Sequence, residues 1–492
     1  MSGSLLIVFL FLVYCVEGIS IPIFETAINS MDTELYNSVE TLKNEREETF
    51  RDLLYFPDDN VIYNQSTHVY FTPNFKALVF RTSPGVKVVR SVKEDQTILF
   101  VYTGSLYREY TMVETQLPIV SINTKVRSNN KDKKFEQILV TTVDMGDSPN
   151  VRQEVLKYKI RGASSRVYPK KSYTLKTLGD HGVSLLGDGK NKRYALNSMY
   201  EDEFKLRDTI SWDIWGQMSA TNNTRGIYNS YDMQYVELII DEDYYGLYGL
   251  QQVLSEDNMF DDNALGSIFK MNSWNIPSYD NPPEGKEWDN IERSFSNLSD
   301  EESWDVIRSL VDVLNLEDED EFQKQFLDIV DVDNLVDYYI FTEFIFAVDN
   351  TWKNMIVSYV PGEKILITPW DLDMTFGSVW TGELPYLTET IARFDSTIYK
   401  KVTGAGSFPI GRMMNNPDFM YKVRARYKEL RTTVFTEENL LGIAENRFSQ
   451  IHDSGAFERN EERYPEGPRV YSDEHIPNFI RARLKFLDKH FK

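Results

Sequence analysis

Cysteine is almost absent from the chain. The one cysteine, Cys15, lies in an apolar run over residues 5–16 near the N-terminus. An intramolecular disulfide is therefore excluded, as is a zinc site built from several thiolates. The fold must be stabilised by core packing, and the hydrophobic share of 41% is typical of a packed globular protein.

Histidine is scarce as well. Pairs of histidines a few positions apart, the usual beginning of a zinc site, do not occur. The five histidines are far apart in the sequence: His68, His181, His452, His475 and His490. Zinc is therefore not expected.

Positive charge is in short supply. The chain has 53 Lys and Arg against 76 Asp and Glu, which gives a formal net charge of -23. Because nucleic acids are held by clustered cations, this balance argues against a nucleic-acid partner. It favours basic protein partners, although an acid excess can also serve only to keep a protein in solution.

Long apolar runs are limited to the N-terminus. The run over residues 5–16 predicts a secretory signal peptide at residues 1–18, with a membrane anchor as the alternative, and no later run reaches transmembrane length. Sequons at Asn64, Asn222 and Asn297 fit glycosylated surface loops. The sequence thus predicts a secreted or secretory-lumen protein, with the cell surface as an alternative destination.

The rest of the chain divides into two predicted regions. Residues 19–116 predict an N-terminal helix, over about 30–54, followed by a small β-rich domain. The second region, residues 117–492, is strand-rich to about residue 260 and helix-rich thereafter. The expected fold class is α+β, with an antiparallel sheet in the strand-rich part.

Two short acidic segments flank a predicted β-hairpin. Asp349 and Asn354 precede the hairpin over residues 355–368, and Asp371 and Asp373 follow it. A hairpin brings its two ends together, so these side chains are expected to converge in space. In extended chain, Asp371 and Asp373 would project to the same side of the backbone.

This convergence predicts a magnesium-nucleotide site. An aspartate followed five positions later by an asparagine is the spacing that protein kinases use for a base and a metal ligand. Mg²⁺ prefers oxygen ligands, which suits Asn354, Asp371 and Asp373, while Asp349 would accept a proton from the attacking hydroxyl. Turn chemistry, a calcium loop and a nucleotide-sugar transferase site are alternative explanations of the separate elements.

A basic segment stands out in so acidic a chain. Residues 161–176 combine a flexible turn with cations that include Arg161, Lys171 and Lys176. Backbone amides and hydroxyls of the turn could hold phosphate while a lysine neutralises its charge. An exposed basic strand that discourages aggregation is the alternative.

In this order, the segments resemble the CotH kinase family, first known from bacterial spore-coat proteins. The likeness covers residues 117–492 and is specific only as a combination. It is carried by KIRGASSR at 159–166 with the strand to Lys176, YALN at 194–197 with Arg207 and Asp208, YVEL at 235–238, and Asp349-Asn350 with PWDLD at 369–373.

The resemblance implies an atypical protein kinase with a reduced, two-lobed kinase-like fold. It implies that ATP and Mg²⁺, or Mn²⁺, are used to phosphorylate Ser or Thr of protein substrates, and it leaves coat or cell-surface partners possible. Arg207 would contact phosphate or brace its helix. The implied roles are catalysis for Asp349, metal binding for Asn354, Asp371 and Asp373, and nucleotide binding for Arg161, Lys171 and Lys176.

Two other functions fit the same segments. A cell-surface or coat adhesin could keep this fold for binding alone. A metal-dependent glycosyltransferase could use the pair formed by Asp371 and Asp373 to hold a nucleotide sugar.

Overall fold

A computed structural model describes most of the chain after residue 106. The described ranges are 106–124, 135–144, 150–378 with short gaps, 409–468 and 472–492, together with short strands between residues 43 and 103. The predicted signal peptide and most of the predicted helix over residues 30–54 lie outside these ranges. Where that helix overlaps the described residues, at Lys43–Asn44 and Leu54, the chain is in strands, so the prediction is wrong there.

The N-terminal region is built from short strands. Strands β3, β4, β8, β7 and β6 form a sheet in that order, β1 pairs with β8, and β2 pairs with β5. The strands are β1 Lys43–Asn44, β2 Leu54–Tyr55, β3 Ile62–Asn64, β4 Val69–Thr72, β5 Arg81–Thr82, β6 Lys87–Lys93, β7 Gln96–Thr103 and β8 Leu106–Glu114.

Seven strands then close into a barrel. They are β9 Ile119–Asn123, β10 Glu136–Asp144, β11 Asn150–Arg161, β12 Ser172–Thr177, β13 Arg193–Asn197, β14 Met233–Ile240 and β15 Asp243–Gln252. The order around the barrel is β10-β11-β12-β13-β15-β14-β9, and the neighbours are antiparallel except for the parallel pair β14 and β9. The expected antiparallel sheet is therefore found, but it is closed by one parallel pair.

The hairpin of β14 and β15 shows how local sequence directs this part of the fold. Its two-residue turn, Asp241 and Glu242, has φ values of 51° and 72°. Positive φ at both turn positions gives the twist that matches two antiparallel strands. Alternate side chains then fill the barrel interior, among them Val236, Leu238 and Tyr248.

The chain after residue 255 combines a five-stranded sheet with helices. The sheet has the order β17-β18-β16-β19-β20. Its strands are β16 Ser267–Met271, β17 Glu287–Trp288, β18 Ile291–Ser296, β19 Met355–Tyr359 and β20 Leu366–Pro369. The helices, counted from the one between β13 and β14, are α1 Arg207–Ser219, α2 Glu256–Met259, α3 Asp300–Leu314, α4 Glu319–Ile329, α5 Val332–Phe344, α6 Pro409–Met413, α7 Pro417–Leu430, α8 Glu437–Asp453, α9 Ala456–Arg463 and α10 His475–His490.

Two local predictions are confirmed in this part. Ser299 and Glu302 form a capping box that starts α3. The predicted hairpin is the antiparallel pair of β19 and β20. Helix α5 ends just before the hairpin and is buried along most of its length, so it fixes the start of the loop that carries Asp349.

The fold is α+β, as expected from the sequence. The parts of the chain that the structure describes contain no helix long and apolar enough to cross a membrane.

A buried ion pair joins the last helix to α5. Arg483 donates to the Glu343 carboxylate at 2.9 Å, and both side chains are 0% exposed. Two positions earlier on the same helix, Arg481 pairs with Glu437, but these side chains are 47% and 56% exposed. The two arginines therefore form a matched pair for testing the effect of burial.

We predict that Arg483→Ala lowers the free energy of unfolding by about 3–5 kcal/mol, because the buried Glu343 carboxylate would lose its arginine partner. Arg481→Ala should change it by less than about 1 kcal/mol, since solvent screens the exposed pair. Urea denaturation of both variants measures the difference. Equal effects would mean that burial of the pair has no bearing on stability.

Candidate active site

Asp349 lies in the turn that follows α5. Phe346, at φ 55°, reverses the chain just before it, and Asp349 is 7% exposed. Its Oδ2 accepts hydrogen bonds from Lys353 Nζ at 2.7 Å and from Asn354 Nδ2 at 2.8 Å. The carboxylate is therefore held in one orientation by two residues of its own loop.

The other oxygen of this carboxylate is available. Asp349 Oδ1 is buried and accepts no hydrogen bond from the described residues. A buried carboxylate oxygen without a donor is costly, since it has lost its water and gained no replacement. Such an atom is suited to receive a hydroxyl proton or to face a cation.

Hydrogen bonds join the two acidic segments. Trp370 N donates to Asn354 O at 3.0 Å, and Asn350 Nδ2 donates to both Asn354 O, at 2.9 Å, and Trp370 O, at 2.6 Å. Asn354 is held from the other side, because its N–H donates to Met271 O at 2.9 Å. The predicted convergence at the open end of the hairpin is thus confirmed at the level of the backbone.

The geometry expected for Asp371 and Asp373 is wrong. Asp371 has φ 60°, so the chain turns sharply once β20 has ended and is not extended. Leu372 enters the core, Asp371 is exposed and Asp373 is half-buried. The reason is that Leu372 is packed and hydrogen-bonded into the interior, which the alternation of two aspartates does not reveal.

Asp208 is a member of the site that sequence reasoning missed. It lies at the start of α1 and is 2% exposed. Its Oδ1 accepts from Leu372 N at 3.1 Å, and its Oδ2 accepts from Asn197 Nδ2 at 2.6 Å. Asn197 and Asp208 stand in segments that carry the family resemblance, and that was the available signal.

The carboxylates of the site contribute to one another's raised pKa values. Burial, followed by the charge of Asp371, raises the pKa of Asp208 to about 7. Burial raises the pKa of Asp349, with Lys353 opposing the rise and Asp371 adding to it. Burial and the charges of Asp371 and Asp208 raise the pKa of Asp373 well above its ordinary value. Four carboxylates therefore share one region with too little positive charge.

These residues fit a hard cation. A divalent ion would relieve the mutual repulsion of the carboxylates, and oxygen ligands suit Mg²⁺ or Mn²⁺. In the described ranges, no group of three or more His, Cys, Asp or Glu side chains is arranged to hold a metal ion by itself. Mg²⁺ usually keeps several waters and takes part of its shell from substrate phosphates.

Arg207 braces the site and is not open to a ligand. Its side chain is 0% exposed and pairs with Asp202 at 2.7 Å and Glu203 at 2.6 Å. Its Nε also donates to Thr375 O at 3.0 Å, just beyond the Asp371–Asp373 segment. Of the two roles left open by the sequence, the contacts support bracing.

The basic segment is divided in space. The Arg161 guanidinium carbon lies 5.3 Å from the centre of the Trp370 ring, and its charge opposes the rise in the pKa of Asp208. Lys171 Nζ donates to Arg166 O at 2.6 Å and to Tyr168 O, so it closes its own turn.

Lys176 is surrounded by other cations. Burial lowers its pKa, and Arg193, Lys157 and Lys286 add to the effect. None of the acidic residues of the site is among the charges that act on it. The acidic centre is the group formed by Asp208, Asp349, Asp371 and Asp373. Of the three predicted nucleotide contacts, the described geometry brings only Arg161 to this centre.

The fold and the site together define an α+β protein with an acidic centre between the end of a barrel strand, the start of α1 and the open end of a hairpin. The family of CotH kinase proteins matches residues 158–487, and the chain belongs to that family. The match includes every predicted site residue. A search of curated proteins gave no match.

The raised pKa of Asp208 gives stability a definite dependence on pH. The pKa of Asp208 is ordinarily 3.8 and is raised to about 7 in the folded protein. Between pH 3.8 and pH 7 the folded protein therefore keeps a proton that the unfolded chain releases. Without divalent cations, the free energy of unfolding should therefore fall as pH rises through this window, by roughly 1–3 kcal/mol.

Asp208→Asn should weaken this dependence, because the amide does not titrate and its oxygen can still accept from Leu372 N, while Asp349 and Asp373 still contribute. Urea denaturation in EDTA at pH 5 and pH 8 measures the slope for both proteins. If the wild type and the variant lose stability in parallel, the titration does not belong to Asp208.

Proposed function

We propose that the chain is a secreted atypical protein kinase that transfers the γ-phosphoryl group of ATP to Ser or Thr hydroxyls of proteins. One observation supports this most strongly: a buried carboxylate with a free oxygen lies on a loop that is hydrogen-bonded to the Asp371–Asp373 segment. Family membership supports it independently.

Asp349 would orient the acceptor. Lys353 and Asn354 occupy Oδ2, which leaves Oδ1 to accept a hydrogen bond from the incoming hydroxyl and then its proton. Because phosphoryl transfer relies mostly on position and charge, a base held by two hydrogen bonds is well suited to the task.

Asn354, Asp371 and Asp373 would hold Mg²⁺ or Mn²⁺, which neutralises phosphate charge when bound. The chain keeps these ligands in place through contacts behind them. Asp208 fixes Leu372 N between the two aspartates, and Arg207 fixes Thr375 O.

A two-lobed, kinase-like arrangement follows from the same proposal. The strand-rich lobe would run from about residue 117 to 260 and the helix-rich lobe from 261 to 492, with a nucleotide held where they meet. The contact of Arg161, at the end of a barrel strand, with Trp370, beyond the hairpin, supports that position. The N-terminal region, residues 19–116, would then be an accessory domain.

The expected substrates are basic or Ser/Thr-rich proteins of an extracellular or lumenal space, including coat or cell-surface partners. The net charge of -23 favours basic segments. The sequon asparagine Asn297 is exposed, as attachment of a glycan requires.

Asp349→Asn should lower phosphoryl transfer by roughly 100-fold or more, because it removes the proton acceptor while keeping the shape of the side chain. Incorporation of labelled phosphate from ATP and Mg²⁺ into a basic protein substrate, or into the chain itself, measures the loss. Asp305→Asn, on an exposed face of α3, is the matched control and should retain activity. Unchanged transfer in Asp349→Asn would overturn the assignment of the base.

ATP with Mg²⁺ should raise the melting temperature of the wild type, and Asp371→Asn should reduce that shift, because ligand binding stabilises the folded state. A thermal-shift panel of ATP, a nucleotide sugar and each metal alone provides the measurement. A shift with the nucleotide sugar but not with ATP would support the glycosyltransferase alternative. If no nucleotide shifts the melting temperature and the protein still binds a cell-surface or coat partner, the adhesin alternative would be supported.

A further inference from the structure

Lys270 occupies an unusual position for a lysine. It lies in β16, the central strand of the five-stranded sheet, between the fully buried residues Phe269 and Met271. It stands in register with Ile356 on one neighbouring strand and Glu292 on the other. Lysine is rarely found in the interior of a sheet unless a partner compensates its charge.

The described contacts supply only an aromatic partner. Lys270 Nζ lies 4.8 Å from the centre of the Trp370 ring, and no ion pair joins it to Glu292 or to any other described carboxylate. Arg161 contacts the same ring at 5.3 Å, and its side chain likewise has no hydrogen bond or ion pair within the described ranges. A lysine from the sheet and an arginine from the barrel thus meet on one ring.

The surroundings of Lys270 disfavour its charged form. Burial lowers its pKa to about 8; Asp371 and Glu292 oppose that effect, and Arg161 and Lys353 add to it. Lys353 is already paired with Asp349 at 2.7 Å. Two cations, Lys270 and Arg161, therefore remain beside the acidic centre with hydrogen-bond donors that no described residue uses.

We propose that Lys270 and Arg161 form a phosphate-binding pair that holds the phosphate chain of the nucleotide next to Asp371 and Asp349. A polyphosphate placed there would accept charge-assisted hydrogen bonds from both side chains and cancel their mutual repulsion. The pair joins the barrel to the hairpin sheet, so the ligand would contact both parts of the fold. This inference deepens the proposed function and rests on it, and it adds Lys270 to the binding residues.

The test is calorimetric titration with two probes, ATP with Mg²⁺ and sodium tripolyphosphate. Lys270→Met keeps the length and apolar stem of the side chain and removes only the charge. It should weaken binding of both probes by about 10- to 100-fold. Lys270→Arg should recover most of the affinity, and the exposed Lys324→Met, on α4, should stay within about twofold of the wild type.

A measurement of folding separates loss of a ligand from loss of structure. Lys270→Met removes an uncompensated charge, so its stability to urea should equal or exceed that of the wild type without ligand. Binding by Lys270→Met that matches the wild type for both probes overturns the proposal.

Failure of this proposal can be told apart from failure of the proposed function. If the wild type binds tripolyphosphate through Lys270 but does not bind ATP, the anion site stands and the kinase function fails. If ATP binds and is used at the same level in Lys270→Met, the kinase function stands and the role of Lys270 fails. If the wild type binds neither probe, both proposals are overturned.

Discussion

The site depends on the short set of hydrogen bonds between the two ends of the hairpin. Trp370 N donates to Asn354 O, and the Asn350 side chain bridges the same two residues, so the loop of Asp349 and the Asp371–Asp373 segment cannot separate without leaving buried polar groups unpaired. Every role proposed above depends on this junction, the hydrogen bonds that join Asn350, Asn354 and Trp370. It lies at the open end of β19 and β20, whose interior packing resists movement.

The junction also brings together groups that repel one another. Asp208, Asp349, Asp371 and Asp373 lie together, while Arg161 and Lys270 lie nearby without an ion pair to any described carboxylate. Acidic and basic side chains are therefore close in space without being joined directly. An arrangement of this kind is stabilised by a ligand that carries both charges, and a metal-bound polyphosphate does so.

Local sequence was enough to predict the elements that depend on neighbours in the chain. The capping box at Ser299 and the hairpin with its converging ends follow from turn chemistry and alternation, and both were predicted. Closure of the barrel by β9 and β14 depends on pairing between distant strands, which no short pattern encodes. Asp208 and Lys270 were missed for the same reason, because Leu372 and Trp370, which they contact in the site, lie a hundred residues or more away in the sequence.

The central claim is that Asn354, Asp371 and Asp373 hold one divalent cation beside the free oxygen of Asp349. A crystal structure of the protein soaked with Mn²⁺ and a non-hydrolysable ATP analogue tests it most directly, because the anomalous signal of Mn²⁺ locates the ion independently of any assumption about its ligands. We expect a peak within coordinating distance of these side chains, with the phosphates next to it. A cation bound elsewhere, with this group of carboxylates facing only water, would rule out the metal site proposed here.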